Sequence, residues 1–256
     1  MLLYSIQFIN SWQVVLLKSQ FELVVLGSGA GASSVYDGLP SSSFMLCYQG
    51  EPFCLVDLGL GVGREVINRF SKFPDKVVIT HNHSDHAGDL AIVLRVELAR
   101  EHKMQVISHK VVTERLKSNR IAEHHEQLSP DELADWVALK DDESYAIGHG
   151  LIIEFYSAVH SETCYGFVLR DKNGVALLSY TGDSTLHHPL YETLSQAAVF
   201  IMDARAQPNK WHANFAEVKP WLKEGGFILG HGLSDENIAE SFSDLPLLVT
   251  GQSLDF

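Results

Sequence analysis

The sequence predicts a single α/β or α+β domain in which helices cover β-sheets. Short apolar runs rich in β-branched residues alternate with helical patterns along the 256-residue chain. No internal repeat, low-complexity tract or Pro/Gly-rich linker divides the chain, whose length suits one large domain or two small ones. Hydrophobic residues form 46% and charged residues 20% of the chain, a composition typical of globular proteins.

The strands are predicted from runs of β-branched and aromatic residues. Two turn sequences, Gln49-Gly50-Glu51-Pro52 and Asp171-Lys172-Asn173-Gly174, each separate two such runs and therefore predict hairpins. In chain order, the predicted strands are Glu22–Leu26, Ser43–Tyr48, Phe53–Asp57, Lys76–Thr80, Gln105–Ser108, Leu151–Ala158, Tyr165–Arg170, Val175–Tyr180, Val199–Asp203, Phe227–Gly230 and Leu247–Thr250.

The helices are predicted from apolar spacing and from capping residues. The clearest start lies at Ser129, because Pro130 follows at the first helical position and Glu132 completes a capping box. The segment His102–His149 holds two of these helices and is long enough for a lid or a dimer surface, and both readings stay open. The predicted helices are Gly88–His102, Val111–Ile121, Pro130–Lys140, Leu190–Gln196, Phe215–Glu224 and Asp235–Phe242.

The first residues of the chain are unusual because Met1–Leu17 carries no charged side chain. This segment lacks a basic n-region and a small-residue cleavage site, and it is short of the about 20 apolar residues that a membrane span needs. We therefore expect residues 1–20 to be an N-terminal extension or an extra strand, and residues 21–256 to form one domain. Cytoplasmic residence without membrane contact is the expectation that follows.

The charge balance limits the substrate classes. With 19 basic and 32 acidic residues, the net charge is −13. Surfaces that follow nucleic-acid phosphates are normally basic, so a protein that grips tRNA or duplex DNA along its length is disfavoured. A small anionic substrate held by a local metal charge fits better. The three cysteines form no C-x-x-C pair, which disfavours both a disulfide scaffold and a thiolate metal site.

The central signal is the run His81-Asn82-His83-Ser84-Asp85-His86, which directly follows the apolar Val77-Val78-Ile79-Thr80. The end of a strand places side chains at a sheet edge, where several of them can converge on one point. Imidazole and carboxylate groups are ligands that divalent metals such as Zn²⁺ accept. The run therefore predicts a metal site.

This H-x-H-x-D-H run is the signature of the metallo-β-lactamase superfamily, and the rest of the chain resembles that family in order. Leu23–Leu26 and the glycine turn after it resemble the family's opening strand. Asp57, in Leu55-Val56-Asp57-Leu58-Gly59, resembles the Asp that braces the metal loop. The resemblance covers about Phe21 to Val249 and implies a four-layer αββα sandwich. The remaining ligand positions are matched by His160, Asp183 and His231.

The resemblance also implies two divalent metal sites. His81, His83 and His160 would bind the first ion, and Asp183 would bridge both ions. The ligands of the second ion would be Asp85, His86 and His231. Because no Cys replaces the bridging Asp183, two comparable sites are expected rather than a lactamase-like site with a thiolate. Zn²⁺ is the preferred metal, although Mn²⁺ and Fe²⁺ accept the same ligands.

Hydrolysis at such a site needs a proton donor for the leaving group, besides the water that two metals about 3.5–4 Å apart can activate. Asp203 and His212, nine residues apart, resemble the acidic residue and the His with which the ribonuclease Z-like branch polarises the scissile phosphate and protonates the leaving oxygen. The expected catalytic residues are therefore Asp85, Asp203 and His212, with Asp85 also a metal ligand.

The tRNA-processing members of that branch carry a long arm, in many of them between the fourth His and the bridging Asp. Here Asp183 follows His160 by 23 residues, and the predicted Tyr165–Tyr180 hairpin fills this interval. With the acidic net charge, this argues against pre-tRNA. The pattern is closer to armless members that hydrolyse cyclic nucleotides or other small phosphodiesters, including phage and bacterial enzymes that degrade cyclic nucleotide signals. Armless relatives are commonly dimers, so we expect a homodimer.

Three alternatives stay open: an RNA 3′-processing endonuclease, a hydrolase of a lactone, thioester or β-lactam, and a protein that binds an anionic nucleotide without turnover. Gly27-x-Gly29-x-x-Ala32 superficially fits a dinucleotide fingerprint, but residues 33–40 do not read as the helix that this fingerprint requires. Cys164 is expected to be buried. The histidines that fit no ligand spacing, and are expected at the surface or at helix ends, are His102, His109, His124, His125, His149, His187 and His188.

Overall fold

The computed structural model describes residues 20–122 and 128–256. These residues form two β-sheets of seven and six strands. The strands are β1 (Phe21–Gly27), β2 (Ser43–Tyr48), β3 (Glu51–Val56), β4 (Lys76–Val78), β5 (Gln105–His109), β6 (Asp135–Leu139), β7 (Ser144–Gly148), β8 (Leu151–Ser157), β9 (Tyr165–Arg170), β10 (Ala176–Tyr180), β11 (Val199–Asp203), β12 (Gly226–Leu229) and β13 (Ser253–Asp255).

Most helices of the described residues are short. A π-helical turn, Leu116–Arg120, continues α5, and a 3₁₀ turn, Lys219–Trp221, continues α8. The α-helices are α1 (Gly31–Tyr36), α2 (Val62–Phe70), α3 (Ser84–Ala87), α4 (Leu90–Ala99), α5 (Lys110–Arg115), α6 (Pro130–Leu133), α7 (His188–Leu194), α8 (Phe215–Val218) and α9 (Asp235–Ser241). None of the helices in the described part of the chain is both long and apolar enough to cross a bilayer.

The two sheets pack face to face. The larger sheet has the order β13-β1-β2-β3-β4-β5-β6 and the smaller one the order β12-β11-β10-β9-β8-β7. Neighbouring strands run parallel from β3 to β6 and from β10 to β12, and antiparallel elsewhere. Phe44 of β2 and Tyr180 of β10 meet edge to face, with ring centroids 5.5 Å apart, so the space between the sheets is filled by core side chains.

Strand β11 shows how the outer layers form. Its side chains alternate between the two faces of the sheet, as in any strand. Ile201 is buried in the core between the sheets, whereas Phe200 and Met202 pack on the opposite face with residues of α7 and α8. On the other side of the sandwich, α2 and α4 bury Val66 and Leu94. The predicted αββα sandwich and α/β class are thereby confirmed.

Both predicted hairpins are confirmed, since β2 pairs antiparallel with β3, and β9 with β10. At the first of them, Gln49 and Gly50 have φ values of 52° and 85°. Two successive residues with positive φ are typical of a type I′ turn, whose twist matches that of the flanking strands. The capping box is also present, because Ser129 and Glu132 exchange side chain to backbone hydrogen bonds.

Two predictions about elements were wrong. The helix predicted for Pro130–Lys140 ends at Leu133, and Asp135–Leu139 is strand β6, which pairs with β5. Leu247–Thr250 is not a strand, because only a single bridge joins Leu247 to Ile228. The described part of 102–149 supplies β5 and β6 to one sheet and β7 to the other.

The segment after β1 also differs from the prediction. Residues that were not expected to be helical form α1, although it has only six residues. Helices α2 and α3 and strands β7 and β13 were not predicted at all. The prediction for residues 1–20 lies outside the described residues except at Gln20, and so do the predictions for His124 and His125.

Candidate metal centre

Side chains at one edge of the sandwich converge because strands of both sheets end there. His81 and His83 follow β4, and His160 follows β8. His83 Nδ1 lies 3.1 Å from His81 Nε2 and 3.0 Å from His160 Nε2. One nitrogen cannot donate a single proton to both neighbours, whereas nitrogens at about 2.0–2.1 Å from a common Zn²⁺ come nearly this close to one another. The triangle therefore fits a metal ion.

Hydrogen bonds behind two of the rings set their orientation. His81 Nδ1 lies 3.0 Å from Thr80 Oγ1, and His160 Nδ1 donates to the Trp211 carbonyl at 3.0 Å. With Nδ1 of each ring held in this way, Nε2 of each ring faces His83 Nδ1. Such outer partners fix the tautomer and the direction of a ligating imidazole.

The environment of His81 and His83 favours their neutral forms. Burial, and then the charge of His86, hold the pKa of His81 well below its ordinary value. Burial, and then the charge of His160, lower the pKa of His83. A neutral imidazole is the form that binds a metal, so no proton has to be displaced before binding.

Asp183 and His86 contact each other directly beside the triangle of His81, His83 and His160. Asp183 follows β10, and its Oδ2 lies 3.9 Å from His81 Nε2 and 3.7 Å from His160 Nε2. Its other oxygen, Oδ1, lies 3.2 Å from His86 Nε2. Burial alone would raise the pKa of Asp183, but the charge and hydrogen bond of His86, together with the charges of His81 and Arg205, outweigh burial and hold this pKa well below its usual range. Asp183 thus faces His81 and His160 with one oxygen and His86 with the other.

The donor set as a whole fits divalent cations. Both carboxylate oxygens of Asp183 are buried without a well-oriented hydrogen-bond partner, which is costly for an ionised group unless something positive binds there. Imidazole and carboxylate groups are what Zn²⁺ and related ions accept. Within the described residues, three sets of three such groups meet here: His81 with His83 and His160, His81 with His86 and Asp183, and His160 with Asp183 and His212.

Asp85 and His231 do not join these sets. Asp85 Oδ2 accepts a hydrogen bond from the Gly31 amide of α1 at 3.0 Å. His231 is buried, with Nε2 2.9 Å from the Leu248 carbonyl and Nδ1 accepting from the Leu233 amide at 3.2 Å. Asp85 lies in α3 and His231 in the loop after β12, and the structure gives both side chains backbone partners.

Asp203 and His212 come together as a pair. Asp203 ends β11 and is fully buried, and its Oδ2 lies 2.7 Å from His212 Nδ1. Burial raises the pKa of Asp203, although the charge of Arg205 opposes the rise. His212 Nδ1 also lies 3.7 Å from Asp183 Oδ2, so the pair stands beside the candidate metal ligands. With Nδ1 held by the carboxylate, Nε2 is the nitrogen that can exchange a proton with a substrate.

Sequence reasoning missed Arg205 and Thr80. Arg205 contacts Asp183, Asp203 and His212, and Thr80 donates from Oγ1 to Asp57 at 2.9 Å. The only signal for Arg205 was a position two residues after Asp203, where side chains of an extended chain share a face. Thr80 could have been found as the residue between the apolar strand and His81.

The other histidines that the structure describes belong to none of these three sets. His109 is the N-cap of α5 and stacks on Tyr165, with ring centroids 3.7 Å apart. His187 and His188 begin α7, and His149 lies in the turn between β7 and β8. His102 follows α4 and contacts Glu97. As expected, Cys164 is buried.

The sequence matches a known family over residues 21–224, the family described as Anti-Pycsar protein Apyc1. No curated protein matches the sequence.

Solved structures with the same fold cover nearly all of the chain. The metallo-β-lactamase fold protein YhfI from Bacillus subtilis has a TM-score of 0.72 and 18% identity, covering 93% of this chain and 99% of its own. Zn²⁺-bound PqqB from Methylobacterium extorquens has a TM-score of 0.70 and 13% identity, covering 92% and 100%. The short form of human tRNase Z has a TM-score of 0.66 and 16% identity, covering 91% and 98%. The chain therefore has the metallo-β-lactamase fold.

Proposed function

Because this chain belongs to the Anti-Pycsar protein Apyc1 family, we propose that it is a metal-dependent phosphodiesterase that hydrolyses cyclic nucleotides. The observation that carries the proposal is the position of the Asp203–His212 pair, whose imidazole Nδ1 lies 3.7 Å from the metal-binding carboxylate of Asp183. This arrangement sets a proton donor beside a site for cations, as the cleavage of a P–O bond requires.

His81, His83, His160 and Asp183 would hold one divalent cation, and His86 would share Asp183 with a second. Asp85 and His231 remain the proposed further ligands of the second ion, and His231 would have to give up one of its two backbone hydrogen bonds to bind it. Bound there, divalent cations would lower the pKa of a water molecule and withdraw charge from the phosphate. Zn²⁺ is the preferred ion, and the structure of Zn²⁺-bound PqqB is consistent with that choice.

His212 is the proposed general acid. Its Nδ1 is held by the Asp203 carboxylate, which fixes the orientation of the ring and leaves Nε2 to face the leaving oxygen. In a cyclic nucleotide, the leaving oxygen is a ribose oxygen that stays attached to the product. A proton delivered by His212 would prevent the ring from closing again through an alkoxide.

A small substrate is supported by the loop lengths and by the charge. The interval between His160 and Asp183 is occupied by the β9–β10 hairpin, so no long arm is inserted there. The net charge of −13 disfavours a long polyanion. We propose a mononucleotide-sized phosphodiester as substrate and a homodimer as the functional form.

The test is a comparison of His212→Ala with the wild type on a panel of 3′,5′- and 2′,3′-cyclic nucleotides. We expect metal-dependent ring opening by the wild type and a kcat about 10²- to 10⁴-fold lower for H212A, with unchanged metal content by mass spectrometry. His149→Ala is the matched control. This histidine lies in the turn between β7 and β8, and its imidazole stacks on Tyr48 of β2 instead of joining the candidate metal ligands. Full activity of H212A would show that His212 is not the general acid. A wild type that binds nucleotides without turnover would show that the protein is a nucleotide-binding protein and not an enzyme.

A second candidate is endonucleolytic RNA 3′ processing, which the fold shared with human tRNase Z favours. A pre-tRNA cleavage assay distinguishes the two functions. Efficient 3′ processing together with intact cyclic nucleotides would replace the first proposal. If protein that is shown to hold metal cleaves neither substrate, lactones and thioesters become the substrates to test.

A further inference from the structure

Arg205 is a cation inside the site, and its terminal nitrogen Nη1 is buried without a hydrogen-bond partner among the described residues. It lies two residues after β11, and only 13% of its side chain is exposed. Nη2 lies 3.7 Å from Asp183 Oδ2, and Nη1 lies 3.5 Å from Asp203 Oδ1. We propose that this guanidinium binds the phosphate group of the substrate, an inference that rests on the proposed phosphodiesterase function.

The contact between Arg205 and His212 leaves a donor free. Arg205 Nη2 lies 3.1 Å from His212 Nδ1, and Asp203 Oδ2 lies 2.7 Å from the same nitrogen. Arginine can only donate, and the carboxylate can only accept when ionised. Because Nδ1 gives its proton to Asp203 at the shorter distance, it cannot also accept from Arg205. The Nη2 group therefore points at a neighbour that does not accept its proton.

A second donor of the same side chain is also unused. Nη1 is buried and has no hydrogen-bond partner among the described residues, since its contact with Asp203 is too long for a hydrogen bond. Leaving a buried charged donor unpaired is costly. A guanidinium held only to neutralise two carboxylates would be expected to bond them directly. Free donors on both terminal nitrogens instead fit an anion with two oxygens, which the planar guanidinium fork can bind bidentately.

The position of the fork matches the position that a scissile phosphate must occupy. The reaction needs the phosphorus between the metal-binding carboxylate of Asp183 and the proton donor His212. Arg205 contacts both of these residues, so its Nη atoms border the space between them. A phosphate there would receive its positive partners from the metal edge on one side and from Arg205 on the other.

The backbone holds this side chain in place. The Arg205 amide donates to the Ala213 carbonyl at 2.9 Å, and the Phe215 amide donates to the Arg205 carbonyl at 3.0 Å. The Ala213 amide donates in turn to the Ser184 carbonyl, beside Asp183. The loop with Arg205 and His212 is thereby tied to the loop with Asp183. Such preorganisation is what makes an anion-binding group effective in catalysis.

The test uses Arg205→Gln and Arg205→Lys in the metal-loaded protein, with Arg64→Gln on the exposed face of α2 as matched control. Four quantities are measured: metal content, the affinity for inorganic phosphate by calorimetry, and KM and kcat with a cyclic nucleotide. We expect R205Q to bind phosphate about 10- to 100-fold more weakly, with metal content unchanged. R205K should recover only part of the affinity, because a point charge lacks the fork.

Phosphate affinity of R205Q equal to that of the wild type would overturn the proposal. Loss of bound metal or of the folded state in both variants would also overturn it, because Arg205 would then be structural. These results are separable from failure of the proposed function. The wild type could open no cyclic nucleotide, while R205Q binds phosphate more weakly than the wild type does. Arg205 would then still be an anion-binding residue, but of a different hydrolase.

Discussion

His86 Nδ1 lies 2.8 Å from Asp57 Oδ2, and this contact ties the last residue of the histidine motif to the end of β3. The same carboxylate accepts from the Thr80 amide at 2.8 Å and from its hydroxyl group. Asp57 thus connects two neighbouring parallel strands at the edge where the ligands stand. The opposite nitrogen of His86 is left to face Asp183.

Replacing this carboxylate should weaken metal binding without unfolding the chain. Asp57→Asn keeps the shape, and Asn tolerates the φ of 58° at this position. The amide loses the charge that supports His86, so we expect metal affinity to fall about 10- to 100-fold, measured by competition with a chromophoric chelator. Asp244→Asn, at an exposed site after α9, is the control. Equal affinity in both variants would show that Asp57 does not support the metal site.

The core strands and the ligand motifs could be predicted because their signals are local. The apolar strand before His81 and the turn sequences at residues 49–52 and 171–174 depend on neighbours in the chain. Asp135–Leu139 could not be predicted in this way. Its capping box begins a real helix, but pairing with β5 takes the next residues into a sheet, and tertiary contacts override local preference.

The site shows the same division. Ligand types and spacing identify His81 and His83, but no local pattern announces Arg205, whose partners come from β10, β11 and a loop. For His231, the sequence predicts a loop position at the metal edge. It does not predict that backbone groups of residues 233 and 248 would occupy both ring nitrogens.

The thiol groups of the three cysteines should be unreactive in the folded protein. Burial raises the pKa of Cys47 and of Cys54 to about 12, and it raises the pKa of Cys164 well above the ordinary value. Because the thiolate is the reactive form, we expect no reaction with an aromatic disulfide reagent at pH 8. Three equivalents should react in denaturant. Rapid labelling of the native protein would mean that these thiols are accessible.

His102 should make stability depend on pH in a region far from the metal. Burial alone would lower the pKa of His102, but its hydrogen bonds to Glu97 and Asp75 and their charges outweigh burial and raise it. The contacts measure 2.7 Å and 3.1 Å. A raised pKa means that the protonated form favours folding, so the contribution is complete below the unfolded value of about 6.5 and is lost as the pH rises through the folded value.

The measurement compares urea unfolding of the wild type and His102→Gln at pH 6 and pH 8.5. We expect the wild type to be the more stable protein at pH 6, with a smaller advantage at pH 8.5. Comparing the two proteins at each pH cancels the titration of shared groups, including the metal ligands. An advantage that is the same at both pH values would contradict the assignment.

Gly59 should be indispensable because the metal loop lies directly against it. A Cβ atom at this position would come within 1.8 Å of the Asp85 carbonyl oxygen, a distance that no side chain can tolerate. The Leu58 amide donates to the His86 carbonyl at 2.8 Å, so displacing this segment would also move His86, a proposed metal ligand.

We therefore expect Gly59→Ala to lose most of its metal affinity and to unfold at lower denaturant concentration. Gly31→Ala is a sharp control, because a Cβ atom there also faces Asp85 but only at 3.4 Å from Oδ2, an ordinary contact. Metal titration and denaturant unfolding of both variants check the prediction. If G59A binds metal as tightly as G31A, the close packing of residue 59 against the loop does not control the site. If G31A is impaired instead, the added methyl group has displaced the Asp85 carboxylate, and the position of this carboxylate, not the packing of residue 59, controls the site.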